Sequence, residues 1–515
     1  MKSSAVGGWA VGALAGLLLI AAGARAAGPS TAPAETAAPT VAQLVDQLND
    51  LDPQVRRRAS LLLLNQGGDA LEPVQAALGR DDLGPEARRV LHKALPRLKV
   101  RAAKLRRYQN QEQWSHRTLV AEYERAGHKE ARWDALVRQG MDTFAHYTAE
   151  ERTRADEQFR QAIDAGCDDP LVLYLEARSL ADSRSANRSD VAEHLRRAAK
   201  AMASSQYDAP RKMLALFRCF QYSPDAPECP PDEIITWAVE SARNEQVPRE
   251  WIVETFEGLM QGLTPIRGRE AAFNKIYPSY EKALPHSAAP LRLKGVFCTK
   301  WAWDARGNGW ASTVTPEGWR LFGQRLGMAQ QALEQAWKLD PTDGQIAAQM
   351  ITVKMGQSDR EGIDEWHRRA MEADPDEYAA CSNKMYCLWP RWFGSHEAML
   401  EFGHQCAQSD NYFATIPFIL VQAHGQMAQE SGDPVTYLQQ PDVWTDISQV
   451  YENALVVYPT AYNRCHYALW AARCGHWDVA NQQFELIGDN PDPTAFPNRE
   501  VYDQLRQRAR KLARP

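Results

Sequence analysis

The sequence predicts an all-α solenoid of stacked antiparallel helix pairs, on three observations. Alternating β-branched runs are nearly missing, while Ala, Leu, Glu, Gln and Arg, the better helix formers, are abundant. Ala336-Trp337-Lys338-Leu339-Asp340-Pro341 returns thirty-four residues later as Ala370-Met371-Glu372-Ala373-Asp374-Pro375, and Tyr458-Pro459 is followed at the same interval by Asp492-Pro493. That period fits a helix–turn–helix unit, which cannot bury its own apolar face and must stack on neighbours. Helix starts are also punctuated: Thr315-Pro316 and Pro230-Pro231-Asp232-Glu233 place a cap or proline ahead of helical stripes.

The elements follow in chain order. Lys2, the uncharged run Ala10 to Ala22 and the small-residue site Ala24-Arg25-Ala26 predict a signal peptide over 1–26. Cleavage after Ala26 would make the protein exported, periplasmic or extracellular; retention of the segment as an anchor is the competing expectation. Residues 27–39, rich in Ala, Pro and Thr, read as a disordered linker.

Residues 40–98 carry a different signature. Asp52-Pro53-Gln54-Val55-Arg56-Arg57-Arg58-Ala59 opens a helix with Val55, Ala59 and Leu62 on one face, and Pro85-Glu86-Ala87-Arg88-Arg89-Val90-Leu91 repeats the theme. The D-x-x-V-R-x-x-A opening resembles the second helix of a HEAT repeat, which implies a short HEAT-like unit. Residues 99–147 read as a basic helical connector. From Ala87 to Gln111 there are nine Lys or Arg and no acid, and Lys93, Arg97, Arg101 and Lys104 form a basic stripe beside an apolar one. That stripe is either a helix face paired with acidic neighbours or an anion- or membrane-binding surface.

Residues 148–515 form the main array. Ala329, Leu333, Ala336 and Pro341, and later Ala468, Gly475, Trp477, Ala480 and Phe484, resemble the small–aromatic core of the tetratricopeptide repeat. The resemblance implies degenerate two-helix units with a concave binding face. Where a third proline is due after Pro375, the chain has Ser409-Asp410-Asn411, a different turn.

Net charge is −6 over 515 residues, so no nucleic-acid partner is expected. Phosphate-loop, G-x-S-x-G, H-E-x-x-H and G-x-G-x-x-G patterns are missing, and neither a cofactor nor a metal is predicted. His396, Glu397, Glu401 and His404 suggest a metal by residue type, but 396 and 404 lie over two turns apart on one helix, so that helix alone closes no site. The nine cysteines contain no C-x-x-C; Cys219 with Cys229, Cys381 with Cys387 and Cys465 with Cys474 are the close pairs.

Two aromatic segments remain as binding candidates. Trp301, Trp303, Arg306 and Trp310 are expected on a long insertion between helices, where indoles pack on peptide or sugar and Arg306 clamps a carboxylate. Trp389, Arg391 and Trp392 precede Gly394-Ser395-His396-Glu397-Ala398-Met399. This stretch resembles a W-G-G-S-x-E-x-M element of an uncharacterised group of exported bacterial tetratricopeptide-like proteins, with Phe393 in place of the first glycine. The expected function is a non-enzymatic scaffold of the cell envelope that binds protein or peptide. Glycan binding or processing and a membrane-surface role for the basic helix are the alternatives.

Overall fold

The computed structural model describes residues 39–144, 149–182, 187–392 and 394–513. The expected signal peptide, nearly all of the linker, and Thr148 and Phe393 lie outside the described residues. Among the described residues there are 24 α-helices and no strand. They are α1 (Val41–Gln47), α2 (Pro53–Leu64), α3 (Leu71–Leu78), α4 (Pro85–Ala126), α5 (Asp134–Phe144), α6 (Ala149–Asp164), α7 (Pro170–Asp182) and α8 (Arg188–Ala203). Next come α9 (Ala209–Tyr222), α10 (Pro231–Ser241), α11 (Arg249–Arg267), α12 (Arg269–Ala283), α13 (Ala288–Arg306), α14 (Pro316–Leu339), α15 (Gly344–Gly356) and α16 (Arg360–Ala373). The last are α17 (Tyr378–Cys387), α18 (His396–Gln408), α19 (Phe418–Glu430), α20 (Pro434–Leu438), α21 (Pro441–Val457), α22 (Ala461–Arg473), α23 (Trp477–Ile487) and α24 (Arg499–Leu512). Helices adjacent in sequence pack together, most extensively α13 with α14, α5 with α6, α7 with α8 and α22 with α23, as in a helical solenoid.

The helix ends follow their side-chain chemistry. Thr40 and Gln43 close a capping box, and Asp52 caps α2 ahead of Pro53. Thr315 caps α14 ahead of Pro316, and Ser395 accepts from the Ala398 N–H. The prolines of the thirty-four-residue period act as stops: α14 ends at Leu339 and α16 at Ala373, each two residues before its proline.

Among the described residues the chain forms two compact units by contact, residues 39–103 with 358–513, and residues within 104–357. The anticipated boundary at 98/99 falls inside α4, which runs 42 residues despite Pro96.

The first unit joins segments from opposite ends of the chain. Leu44, Leu48, Leu63, Val74 and Leu91 make a core within α1–α4. Leu61 points elsewhere, into a core with Tyr412, Leu420, Ile447 and Tyr451. Around Leu61 the polar contacts converge on the Ser409-Asp410-Asn411 turn. The Arg57 guanidinium grips both Asp410 oxygens at 2.7 and 2.8 Å. Asn65 donates to the Asp410 carbonyl at 2.9 Å and accepts from the Phe413 N–H at 2.7 Å. The turn that lacks the third proline is thus the acceptor for the N-terminal segment.

The basic stripe of α4 is turned inward to the same place. Lys93 donates to the Gln408 carbonyl at 3.0 Å and Arg97 to the Ser409 carbonyl at 2.9 Å. These carbonyls close α18, the negative end of its dipole, which is why cations gather there. Arg101 is 3% exposed and makes a fork to Asp376 at 2.8 and 2.9 Å. It also donates to Asn411 and to the carbonyls of Leu64 and Gln66, with its guanidinium 3.9 Å from the Phe413 ring centre. Burial, and then the charge of Arg101, lowers the Arg97 guanidinium to about 10. Gly68 permits the close approach behind it, since a Cβ there would lie 2.4 Å from the Ala102 nitrogen. Arg97 and Arg101 are therefore held inside the protein, Lys93 is bonded to the helix end but stays exposed, and Lys104 is exposed.

The second unit is organised around its own buried charges. Arg211 of α9 reaches Glu122, the Ser115 carbonyl and the Thr118 hydroxyl of α4. Asp169 is fully buried, yet accepts from the backbone N–H groups of His128, Leu171 and Val172 and from the Tyr207 hydroxyl. Its hydrogen-bonding capacity is met, as burial of a carboxylate requires.

Candidate functional site

Within the second unit, helices α12 to α14 build a ladder of rings that ends in a cation. Tyr277 stacks on Phe273 at 4.8 Å, Phe273 on Phe297 at 3.8 Å, and Phe297 on Trp301 at 5.5 Å. The guanidinium of Arg325, on α14, then lies 3.5 Å from the Trp301 ring centre and donates to the Trp301 carbonyl at 2.7 Å. Residues 273 and 277 are one helical turn apart, as are 297 and 301, so each helix offers two rings to one face.

Beside this ladder lies an open cleft of about 740 Å³, lined among others by Arg267, Arg269, Trp301, Asp304 and Arg325. Its far wall is the junction of α11 and α12. Pro265 stands in the last turn of α11, and Gly268 reverses the chain at φ 81°, a conformation that costs other residues far more. No side chain caps the start of α12. Arg269 pairs with Asp304 at 3.1 Å. The neighbouring Lys300 ammonium is pushed below its ordinary value by burial and then by the Arg269 charge, against the pull of Asp304. The buried Nε of Arg325 meets no acceptor among the described residues, an unmet donor that costs about 1–3 kcal/mol.

The residues expected on a long insertion are placed otherwise. Trp301, Trp303 and Arg306 belong to the last two turns of α13, and only residues 307–315 form the connection, with one 3₁₀ turn at Ala311–Thr313. Trp301 lines the cleft. Trp303 packs edge-on against Phe322, and Arg306 lies between Trp303 and Trp319 while donating to the carbonyls of Gly307 and Gly309. Arg306 thus folds the connection onto the helices. Trp310, at its tip, is 76% exposed. Arg325, Arg267 and Arg269 carried no sequence signal: an arginine twenty-four residues beyond a tryptophan gives no local hint that the two will stack.

The other aromatic segment lies in the first unit. Arg391 sits over Tyr386, Trp389 and Trp392 at 5.2, 4.8 and 5.5 Å and donates to the Tyr386 hydroxyl at 2.7 Å. Trp389 also packs against the core of Cys381, Met385, Met399 and Phe402.

The residues weighed for a metal disperse. His396 pairs with Glu430 at 2.8 Å, whereas His404 goes to Asp446 at 2.7 Å. Among the described residues no group of three or more His, Cys, Asp or Glu is placed to hold a metal ion. Asp446 is instead shared: the same oxygen accepts from buried His424 at 3.0 Å, whose other ring nitrogen meets the Tyr437 hydroxyl at 2.9 Å. Burial works against the Asp446 carboxylate, but the bonds from His424 and His404 hold it below the usual range. A depressed carboxylate contributes stability above its unfolded value near 3.9 and loses it as pH falls through the lower folded value. Asp446→Asn should therefore lower the melting temperature at neutral pH and differ less from the parent near pH 3. An equal deficit at both pH values would show that the charge on Asp446 is irrelevant.

All nine cysteines are buried free thiols. Cys219 contacts Cys229, whereas Cys381 contacts Cys406 and lies 3.7 Å from the His367 ring. The hydrogen bond from Cys406 holds the Cys381 thiol below its ordinary value, with burial opposing and His367 assisting.

No family model matches the chain, and no curated protein matches it. Among the described residues no helix is long and apolar enough to cross a membrane.

Proposed function

We propose that the protein is an exported, non-enzymatic scaffold whose helical repeats, tetratricopeptide-like with a HEAT-like N-terminal segment, hold a peptide or a protein segment. The observation that carries this reading is the cleft beside Trp301. A ladder of four rings fixes the indole, and Arg325 covers one face of it. A volume of about 740 Å³ falls in the range of ligand clefts, roughly 300–1,000 Å³, and takes a few side chains. Rigid aromatic and arginine residues are the types that dominate binding energy at such sites. Export rests on the predicted cleavage site after Ala26, and the envelope as the place of action follows from it.

The test is selection of a displayed random-peptide library on the full-length chain, followed by affinity measurement for the enriched peptides. Trp301→Ala should weaken them by over ~1 kcal/mol, about fivefold or more. Trp470→Ala, in the first unit, should leave affinity unchanged. Enrichment of no peptide, or peptides indifferent to Trp301, would overturn the reading.

A further inference from the structure

The cleft carries more positive charge than its surroundings lead one to expect. The chain as a whole has net charge −6, yet the lining brings three guanidiniums, Arg267, Arg269 and Arg325, against two carboxylates, Glu270 and Asp304. Asp304 is already engaged by Arg269. Arg325 is anchored by the Trp301 ring and carbonyl, and its buried Nε has no acceptor among the described residues. A guanidinium anchored over an indole keeps its remaining N–H groups in the planar fork that suits a carboxylate edge-on. We infer that the cleft selects acidic peptide segments, one side-chain carboxylate docking on Arg325 with Arg267 at the rim. This rests on the peptide-binding reading above and adds the class of peptide.

The experiment uses the full-length chain and two fluorescein-labelled peptides, one rich in glutamate and its twin with glutamine at each glutamate, read by fluorescence polarisation. The glutamate peptide should bind roughly tenfold more tightly, with an advantage that shrinks as salt rises. Arg325→Met and, separately, the more exposed Arg267→Gln should each remove most of that advantage, while Arg243→Gln, two residues past the end of α10, should not. The Arg267 variant keeps the test valid if Arg325→Met disturbs the aromatic ladder. Equal binding of both peptides that still depends on Trp301 would overturn the acidic preference and leave the scaffold standing. A glutamate advantage untouched by either arginine variant would overturn the assignment to this cleft. Binding of neither peptide, with library peptides still bound through Trp301, would also defeat the acidic preference. Failure of every peptide would defeat both readings.

Discussion

Arg101→Ala should cost the first unit about 3–5 kcal/mol, among the largest single effects in the protein. The side chain is 2% exposed and its partner Asp376 5%, so removing the guanidinium leaves a buried carboxylate without its counter-charge. It also strips the carbonyls of Leu64 and Gln66 and the Asn411 amide oxygen of a donor. Arg101→Lys should rescue little, because an ammonium cannot span two carboxylate oxygens and two carbonyls at once. Urea denaturation followed by far-ultraviolet circular dichroism gives the measurement, read as a shift of the unfolding transition because a chain with two units need not unfold in one step. A shift no larger than that of an exposed arginine variant such as Arg160→Ala would refute the seam's importance.

Arg211→Met should damage the second unit by a similar amount, about 3 kcal/mol or more. Arg211 is 1% exposed and joins α9 to α4 through Glu122, Ser115 and Thr118, with the Trp114 ring 5.4 Å from its guanidinium. Methionine fills much of the volume but leaves Glu122 buried and alone. The paired substitution Arg211→Met with Glu122→Leu should recover a good part of the loss, since a buried ion pair replaced on both sides by apolar groups is often near neutral. If the double variant is as unstable as the two single losses added together, the charges are not coupled and the argument fails.

Most of the architecture was legible because it rests on local chemistry. Asp52-Pro53, Thr315-Pro316 and Ser395 start helices where their side chains can cap a backbone N–H, and the prolines at 341 and 375 end them, whatever lies around. What long-range contact decides was hidden. The run of arginines and lysines on α4 has one appearance in sequence whether it faces water or a helix end; only the docking of residues 408–413 against it distinguishes the two. The candidate site divides the same way. Trp301 stood out by composition, but the arginine that covers its face sits on another helix, and the Gly268 junction opposite resembles any other turn. Arg306 was the nearer arginine and the natural choice for a clamp, yet its proximity in sequence is what lets it bond the carbonyls of its own loop.

The joining of residues 40–103 to 358–515 has a consequence for how the chain is made. At ribosomal speeds of ~5–20 residues per second, the acceptor turn around Asp410 emerges roughly tens of seconds after the arginines that need it. Through that interval the nascent segment shows a cationic edge and the unpacked Leu61, while the whole of residues 104–357 is synthesised and free to fold. Residues 40–103 are thus made early and completed late, and a chain stopped before residue 410 lacks the turn whose carboxylate pairs with Arg57 and Lys93.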